Sequence, residues 1–180
     1  MNVDVLDESG ADADVVALTQ LCRFVMRRMR LHPATELTVR LVDADTMAVL
    51  NQQWMGQTGP TDVLSFPMDE LTPGSAEPDD DAVSGYLGDI AVCPQVAAQQ
   101  APAAGHSASD EINLLTVHGI LHLLGYDHAS PDEHREMFGV QGRLLLEWQR
   151  GGDPEPGPDG SDDPGPDGSS DTAPEPTSTS

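Results

Sequence analysis

Hydrophobic and polar positions alternate in four short stretches of the chain, and each stretch predicts a strand. Residues 2–7 and 37–42 alternate with the two-residue period of a half-buried strand. Residues 62–66, stopped by Pro67, and residues 86–93 form two further predicted strands. Together these stretches predict a sheet of about four strands.

Five helices are predicted from apolar residues at helical spacing and from residues that favour helix starts. They begin near Asp12 or Asp14, Asp43 or Asp45, Pro94, Ser107 or Ser109, and Ser130. The fourth helix has apolar residues on nearly all sides, so we expect it to be the central buried helix. The fold class is therefore α+β, a mixed sheet packed with about five helices and parallel where helices connect the strands.

The length and composition of the chain predict one folded domain followed by a tail. At 180 residues and 38% hydrophobic content, the chain has room for one domain, which we place at residues 1–150. Residues 151–180 are acidic and rich in Pro, Gly, Ser and Asp, which predicts a disordered C-terminal tail. Residues 68–85 have a similar composition and predict a mobile surface loop.

The charge of the chain excludes a generic nucleic-acid binder. The net charge is −23, with eight arginines and no lysine, and residues 1–150 alone contain 23 acidic side chains. Nucleic-acid binding would therefore need a local basic patch. Arg23, Arg27, Arg28 and Arg30 on the first helix are one candidate, and a solvated helix face is the alternative.

Cysteine content and hydropathy predict a soluble, cytoplasmic protein. The chain has no continuous apolar run of about 18 residues, and its N-terminus is polar and acidic. Cys22 and Cys93 are interpreted as free thiols in a reducing compartment, with a disulfide between them as the less favoured alternative.

Three histidines on and after the fourth helix predict a metal site. His118 and His122 are four residues apart, so both imidazoles project from one helix face. Gly125 then ends the helix and can reverse the chain, which brings His128 back toward them. Three neutral nitrogen ligands with a vacant fourth position are typical of catalytic zinc. Buried, hydrogen-bonded histidines are the less favoured alternative.

The residue after the first histidine decides which chemistry is favoured. Histidines at this spacing also occur in metzincin proteases, which need a glutamate immediately after the first histidine as general base. Gly119 occupies that position, so a metzincin-like peptidase is disfavoured. Phosphodiester hydrolysis needs such a base less, because a metal lowers the pKa of its bound water and stabilises phosphoryl charge.

Three stretches of the chain together resemble one protein family. Residues 118–128, 60–67 and 88–90 are similar to the recurring motifs of the YbeY family, the bacterial endoribonucleases of ribosomal RNA maturation. The resemblance covers about residues 1–150 and does not extend to the tail.

This resemblance implies a zinc-dependent, single-strand-specific endoribonuclease in 16S rRNA 3′-end processing and ribosome quality control. It implies one Zn²⁺ ion held by His118, His122 and His128 on a zincin-like helix. The implied partners are single-stranded RNA or rRNA and the ribosome or its proteins, with no membrane and no DNA. Metal-activated water would attack the phosphodiester, and attack by the neighbouring 2′-hydroxyl stays open. The alternatives are a ribosome-assembly binding factor with structural zinc and, less favoured, the peptidase.

The chain departs from the family at one position, and no catalytic side chain is assigned. Met55 stands where well-known members have an arginine. Because methionine cannot neutralise phosphate, three alternatives stay open: another arginine folds into the cleft, phosphate binding depends on the metal and backbone amides, or nuclease activity is weak and the chain works mainly as a ribosome-associated factor.

Five further polar residues are predicted to lie near the three histidines or at the surface. Asp127 would orient a histidine or cap its turn, Asp89 would bond to backbone near its strand end, and Glu111 lies too far along the helix to be a ligand. His106 and His134 are predicted to be surface residues.

Overall fold

The computed structural model, which describes residues 1–74 and 85–152, contains the predicted mixed sheet. Its strands are β1 (Asn2–Asp7), β2 (Glu36–Leu41), β3 (Val63–Pro67) and β4 (Tyr86–Val92). Their spatial order is β1-β2-β4-β3, with β1, β2 and β4 mutually parallel. β3 runs antiparallel to β4 at one edge of the sheet. The prediction of a four-stranded mixed sheet is therefore confirmed.

Within the described part of the chain, five helices pack around the sheet, as predicted. They are α1 (Val15–Arg28), α2 (Ala44–Met55), α3 (Pro94–Ala104), α4 (Ala108–Leu123) and α5 (Pro131–Gln149). Asp14, Asp43, Ser107 and Ser130 each accept a hydrogen bond from a backbone N–H of the first turn that follows. These bonds satisfy N–H groups that have no partner within the helix, so the Ser130 cap is confirmed, as is one of the two predicted caps for each of the other three helices.

The central helix α4 packs closely against β3 and β4. A Cβ atom at Gly119 would lie 2.9 Å from Cγ2 of Ile90 and 3.2 Å from Oγ of Ser65. The Ser65 hydroxyl also donates a hydrogen bond of 3.1 Å to the Gly119 carbonyl. The glycine therefore lets the helix approach the sheet and fixes how far α4 stands from β3.

α2 covers part of the opposite face of the sheet. Met47 of α2 packs with Leu64 of β3 and Ala91 of β4 in a second, smaller apolar cluster. Leu64 and Ala91 are register partners, and Ala91 is in turn the partner of Arg40 on β2. These three side chains lie side by side on this face, because register partners point the same way.

One leucine near the end of α5 points away from the core. Leu146 is 47% exposed, whereas Leu144 is 1% exposed. Leu146 lies two residues further along the helix, about 200° around its axis, and so points to solvent. Cys22 and Cys93 are free, as predicted, and both are buried.

Two predicted flexible regions lie partly outside the described residues. Residues 75–84 of the predicted mobile loop and residues 153–180 of the predicted tail are not described. Among the helices of residues 1–74 and 85–152, none is long and apolar enough to cross a membrane.

Candidate metal centre

The three predicted histidines lie together at the C-terminal end of α4. His118 and His122 occupy successive turns, and their Nε2 atoms are 3.0 Å apart. α4 ends at Leu123, and Gly125, at φ 91°, reverses the chain in a conformation that favours glycine. The ring centre of His128 thereby lies 5.8 Å from that of His118 and 5.3 Å from that of His122.

The geometry of this group suits a single metal ion. One nitrogen from each of the three rings lies within 4.8 Å of the others. Tetrahedral zinc with Zn–N distances of about 2.0–2.1 Å separates two ligand nitrogens by roughly 3.3 Å, close to the His118–His122 separation. Of the three residues His128 is exposed, so the group opens to solvent on that side.

Hydrogen bonds from the outer ring nitrogens orient two of the three imidazoles. His118 Nδ1 lies 2.9 Å from Oε1 of Gln141, and His122 Nδ1 lies 3.0 Å from the carbonyl oxygen of Tyr126. Both partner atoms are acceptors, so each Nδ1 holds the ring proton. Each Nε2 is then left unprotonated, as a metal ligand must be.

Burial favours the neutral form of the same two rings. Burial lowers the pKa of His118, an effect that the hydrogen bond to Gln141 partly opposes. Burial, followed by repulsion from His118 and His128, lowers the pKa of His122. Because metal ligation requires neutral imidazole, the protein environment favours the ligating state of both residues.

Sequence reasoning missed Gln141. This residue is 5% exposed and belongs to the stripe of α5 that also buries Met137 and Leu144. A buried amide is costly unless it is hydrogen-bonded, so a glutamine within an apolar stripe was the available signal. The identity of its partner depends on how α5 packs against α4.

The histidines open onto a cleft of about 1020 Å³. Its walls come from β2, β3, β4 and the end of α2, and they include Arg40, Trp54, Met55, Asp62 and Phe66. We call this cavity the metal cleft. It is far larger than one metal ion and its bound water, so it offers room for a substrate.

An arginine lines the metal cleft although Met55 is apolar. Met55 is 58% exposed at the end of α2, and Arg40 of β2 lines the same cavity. Glu8 accepts hydrogen bonds from Arg40 Nη2 at 2.8 Å and from Arg40 Nε at 3.3 Å. The sequence left open that a different arginine folds into the cleft. Arg40 is the candidate for that arginine.

The arginines of α1 do not belong to this cleft. Arg40 is the one arginine among the described residues that line it. On α1, Arg28 forms a 3.1 Å ion pair with Glu147 and lies over the ring of Phe24. The patch on the first helix, considered as a nucleic-acid contact, therefore lies outside the cavity that contains the histidines.

Asp127 accepts a hydrogen bond from backbone, whereas Asp89 accepts one from a side chain. The Asp127 carboxylate accepts a 2.7 Å hydrogen bond from the backbone N–H of His128, so it caps the turn, which was one of the two alternatives. Asp89 was expected to bond to backbone, but its carboxylate accepts from the hydroxyl of Tyr86. That prediction was wrong because Tyr86, three residues earlier on β4, reaches along the strand.

Glu111 and the two remaining histidines lie outside the three-histidine group. Glu111 is buried and contacts Nε2 of His106, so His106 is half-buried rather than a surface residue, which corrects the prediction. His134 is exposed, as predicted, and stacks on Phe138 with ring centres 4.2 Å apart. Phe138 in turn lies 5.7 Å from the ring of His118.

The fold and site define a class of protein: an α+β domain with a mixed sheet, in which two histidines of the central helix and a third just after it lie at the mouth of an open cleft. A family model described as Endoribonuclease YbeY matches residues 8–149. The chain belongs to this family, and the resemblance found in its three sequence stretches is confirmed. The class of enzyme in this family is an endoribonuclease, as predicted.

Relatives and a solved structure agree with this assignment. A protein of Nocardioides sp. named Endoribonuclease YbeY is 59% identical over 149 residues, which cover 83% of this chain and 99% of the relative. A protein of the same name from Thermobifida fusca is 58% identical over 150 residues, covering 83% and 96%. The solution structure of a Thermotoga maritima protein is 29% identical, with a TM-score of 0.57 and coverage of 87% and 99%.

Proposed function

We propose that this chain is a zinc-dependent endoribonuclease that cleaves single-stranded RNA in 16S rRNA 3′-end processing and ribosome quality control. In this proposal His118, His122 and His128 hold one zinc ion. The observation that carries it is the convergence of three imidazole nitrogens, within 4.8 Å of one another, at the mouth of the metal cleft.

The donor set and its hydrogen bonds support zinc in a catalytic rather than a structural role. Neutral imidazoles suit zinc, and catalytic zinc sites usually have three protein ligands and one open position. The exposure of His128 and the adjoining cleft leave such a position accessible. A structural zinc would be enclosed by four ligands, so the binding-factor alternative fits this site less well.

The contribution of the chain's own residues is to orient ligands and receive the substrate. Gln141 and the Tyr126 carbonyl hold the outer nitrogens of His118 and His122, which directs both Nε2 atoms to one point. When bound, zinc lowers the pKa of a water ligand and stabilises charge on a phosphoryl oxygen. Arg40, in the same cleft, is available to neutralise phosphate.

Peptidase activity is disfavoured by packing as well as by residue type. Gly119 stands where a metzincin has its glutamate, and a Cβ there would already lie 2.9 Å from Ile90. A glutamate side chain would have to start from this crowded position between α4 and the sheet. The cellular setting we propose is the cytoplasm, with single-stranded rRNA and the ribosome or its proteins as partners and neither membrane nor DNA.

The test uses the zinc-loaded full-length chain and a single-stranded fragment from the 3′ end of precursor 16S rRNA. Matched double-stranded RNA, single-stranded DNA and a peptide mixture are incubated in parallel. The comparison protein is the His118→Ala, His122→Ala double variant, with His128→Ala as a second variant because this exposed residue can change with little effect on the core. Zinc content and far-UV circular dichroism are measured for every protein.

We expect cleavage of the single-stranded RNA by the unaltered chain, loss of cleavage in both variants, and no cleavage of DNA. Equal cleavage by folded variants that lack zinc would overturn the proposal. Stoichiometric zinc without RNA cleavage would favour the binding factor, and cleavage of peptides would favour the peptidase.

A further inference from the structure

The metal cleft continues past the edge strand β3 onto the opposite face of the sheet. Ser65 and Ile90 point toward α4, as their approach to Gly119 shows. Phe66 and Asp89 are register partners one residue further along, so their side chains lie on the other face. Both pairs line the cleft. A flexible single strand of nucleic acid bound in the cleft could therefore cross over β3, from the histidines to this second face of the sheet.

An exposed aromatic group lies on that second face. Trp54 is 66% exposed, and its ring meets the ring of Phe66 edge-on, with centres 5.7 Å apart. Met55 lies beside Trp54 in the chain and also lines the cleft. We call Trp54, Met55 and Phe66 the aromatic platform. Exposed large apolar groups beside a cavity commonly mark a binding surface.

The local fold holds this platform in place. α2 ends at Met55, where Gly56 takes a left-handed conformation with φ 64°. The Asn51 side-chain amide donates a 2.9 Å hydrogen bond to the Gly59 carbonyl and so ties the following loop to α2. The Trp54 ring therefore projects from a helix end whose direction is set, which limits the entropy lost when a ligand stacks on it.

We propose that the aromatic platform stacks one unpaired base of the RNA substrate, while Arg40 binds a neighbouring phosphate. This inference rests on the proposed function and deepens it by assigning a nucleotide-binding subsite. Exposed aromatic rings bind single-stranded nucleic acid in this way, because every base offers a flat π-face.

Charge favours a base as the occupant of the platform. Residues 1–150 contain 23 acidic side chains and eight arginines, so long-range attraction of RNA is weak. Stacking needs no net positive charge. It does need an unpaired base, because bases within a duplex are covered on both faces. The same platform therefore accounts for a preference for single strands in an acidic protein.

Arg40 lies where it can accompany the base. It lines the same cleft, and its guanidinium is oriented by Glu8 through Nη2 and Nε. A guanidinium has five N–H donors, so this ion pair leaves others for a phosphate oxygen. The platform and Arg40 together offer the two contacts that a nucleotide requires, one apolar and one cationic.

The test measures binding of a short, fluorescein-labelled single strand of 2′-O-methyl RNA to the zinc-loaded full-length chain. The oligonucleotide is first checked to remain intact during incubation. Trp54→Ala should weaken binding roughly tenfold, and Trp54→Phe should retain most of the affinity. Leu146→Ala is the matched control, because Leu146 is exposed and apolar but does not line the metal cleft.

Salt dependence separates the platform from Arg40. Arg40→Gln should reduce the slope of log affinity against log salt by roughly 0.7, the value for one phosphate contact on a single strand. Trp54→Ala should leave that slope unchanged, because stacking releases no counterion. An equal reduction of the salt-dependence slope in Arg40→Gln and Trp54→Ala would overturn the assignment of phosphate binding to Arg40 and base stacking to Trp54.

Fluorescence reports the stacking directly. The chain has two tryptophans, so Trp148→Phe leaves Trp54 as the remaining tryptophan, whose emission is excited at a wavelength where tyrosine does not absorb. Addition of the oligonucleotide should quench this emission, and an abasic nucleotide at one position of the strand should relieve the quenching. A duplex of the same sequence should quench much less.

Three outcomes would overturn the inference: unchanged affinity in Trp54→Ala, unquenched Trp54 emission, or equal quenching by the duplex. Unchanged RNA binding would assign the platform to a protein partner instead. These failures are distinct from failure of the proposed function. If the unaltered chain cleaves RNA and Trp54→Ala has the same KM, only the subsite is lost. If the unaltered chain cleaves no more than the histidine double variant, the proposed function itself fails.

Discussion

Nδ1 of His118, on α4, lies 2.9 Å from Oε1 of Gln141, on α5. This contact links the candidate metal site to a helix that contributes none of the three histidines. It also holds the proton on Nδ1, so that Nε2 is the nitrogen available to an ion.

Removal of this contact should weaken metal binding. We expect Gln141→Leu to lower zinc affinity by about 10- to 100-fold, because the His118 ring loses the partner that orients it. Competition with a chromophoric zinc chelator measures the change. Gln149→Leu, an exposed position near the end of the same helix, is the control and should bind zinc as the unaltered chain does. Equal affinity in the two variants would contradict the role of Gln141.

A side chain at position 119 should destabilise the packing of α4 on the sheet. Gly119→Ala places a Cβ 2.9 Å from Cγ2 of Ile90, so the helix or the Ile90 side chain must shift. Overpacking of this kind costs about 1–3 kcal/mol, and the better helix propensity of alanine offsets up to about 1 kcal/mol. We expect the free energy of unfolding to fall by roughly 1–2 kcal/mol in urea denaturation.

Gly139→Ala is the matched control for this change. Gly139 also lies within a helix, and a Cβ there meets nothing within 4 Å. Alanine should therefore leave stability unchanged or raise it by up to about 1 kcal/mol. A Gly119→Ala protein as stable as the Gly139→Ala protein would show that α4 can retreat from the sheet without cost.

The two cysteines should be unreactive in the folded protein. Both are buried, and burial raises the pKa of the Cys22 thiol to about 12. At mildly alkaline pH this thiol stays neutral, and the neutral thiol is a poor nucleophile. A chromogenic disulfide reagent should react with both thiols only after denaturation. Rapid reaction of the native protein would contradict the burial, and no reaction after denaturation would indicate a disulfide.

The capping residue of α2 should make stability depend on pH. The hydrogen bond from the Thr46 backbone N–H lowers the pKa of Asp43 in the folded chain. The stabilising effect of this carboxylate is present above its unfolded pKa of about 3.9 and is lost as pH falls through the lower folded value.

Asp43→Asn tests this dependence because asparagine caps without titrating. The variant should have nearly the stability of the unaltered chain at neutral pH and lose less of it in acid. Urea denaturation at several pH values between neutrality and about pH 3 measures the difference. If the free energy of unfolding depends on pH in the same way in the two proteins, Asp43 does not contribute to the pH dependence of stability.

Features that depend on neighbours close along the chain could be predicted from the amino-acid sequence. Helix starts at Asp43 and Ser130 could be predicted because a cap bonds to N–H groups two or three residues away. The His118–His122 pair could be predicted because helix geometry alone places residues four apart on one face. The four strands and the family resemblance were local patterns of the same kind.

Contacts at the site between residues far apart in the chain depend on the packing of the whole domain. Gln141 contacts His118 across 23 residues of sequence. Arg40 lines the metal cleft because β2 pairs in register with β4, and β4 pairs in register with β3. The contact between Trp54 and Phe66 depends on how α2 lies on the sheet. Strand order and helix packing result from burial of apolar surface summed over the whole domain, and no local pattern encodes that sum. For this reason the histidine spacing could be read from the chain, whereas the cleft around it could not.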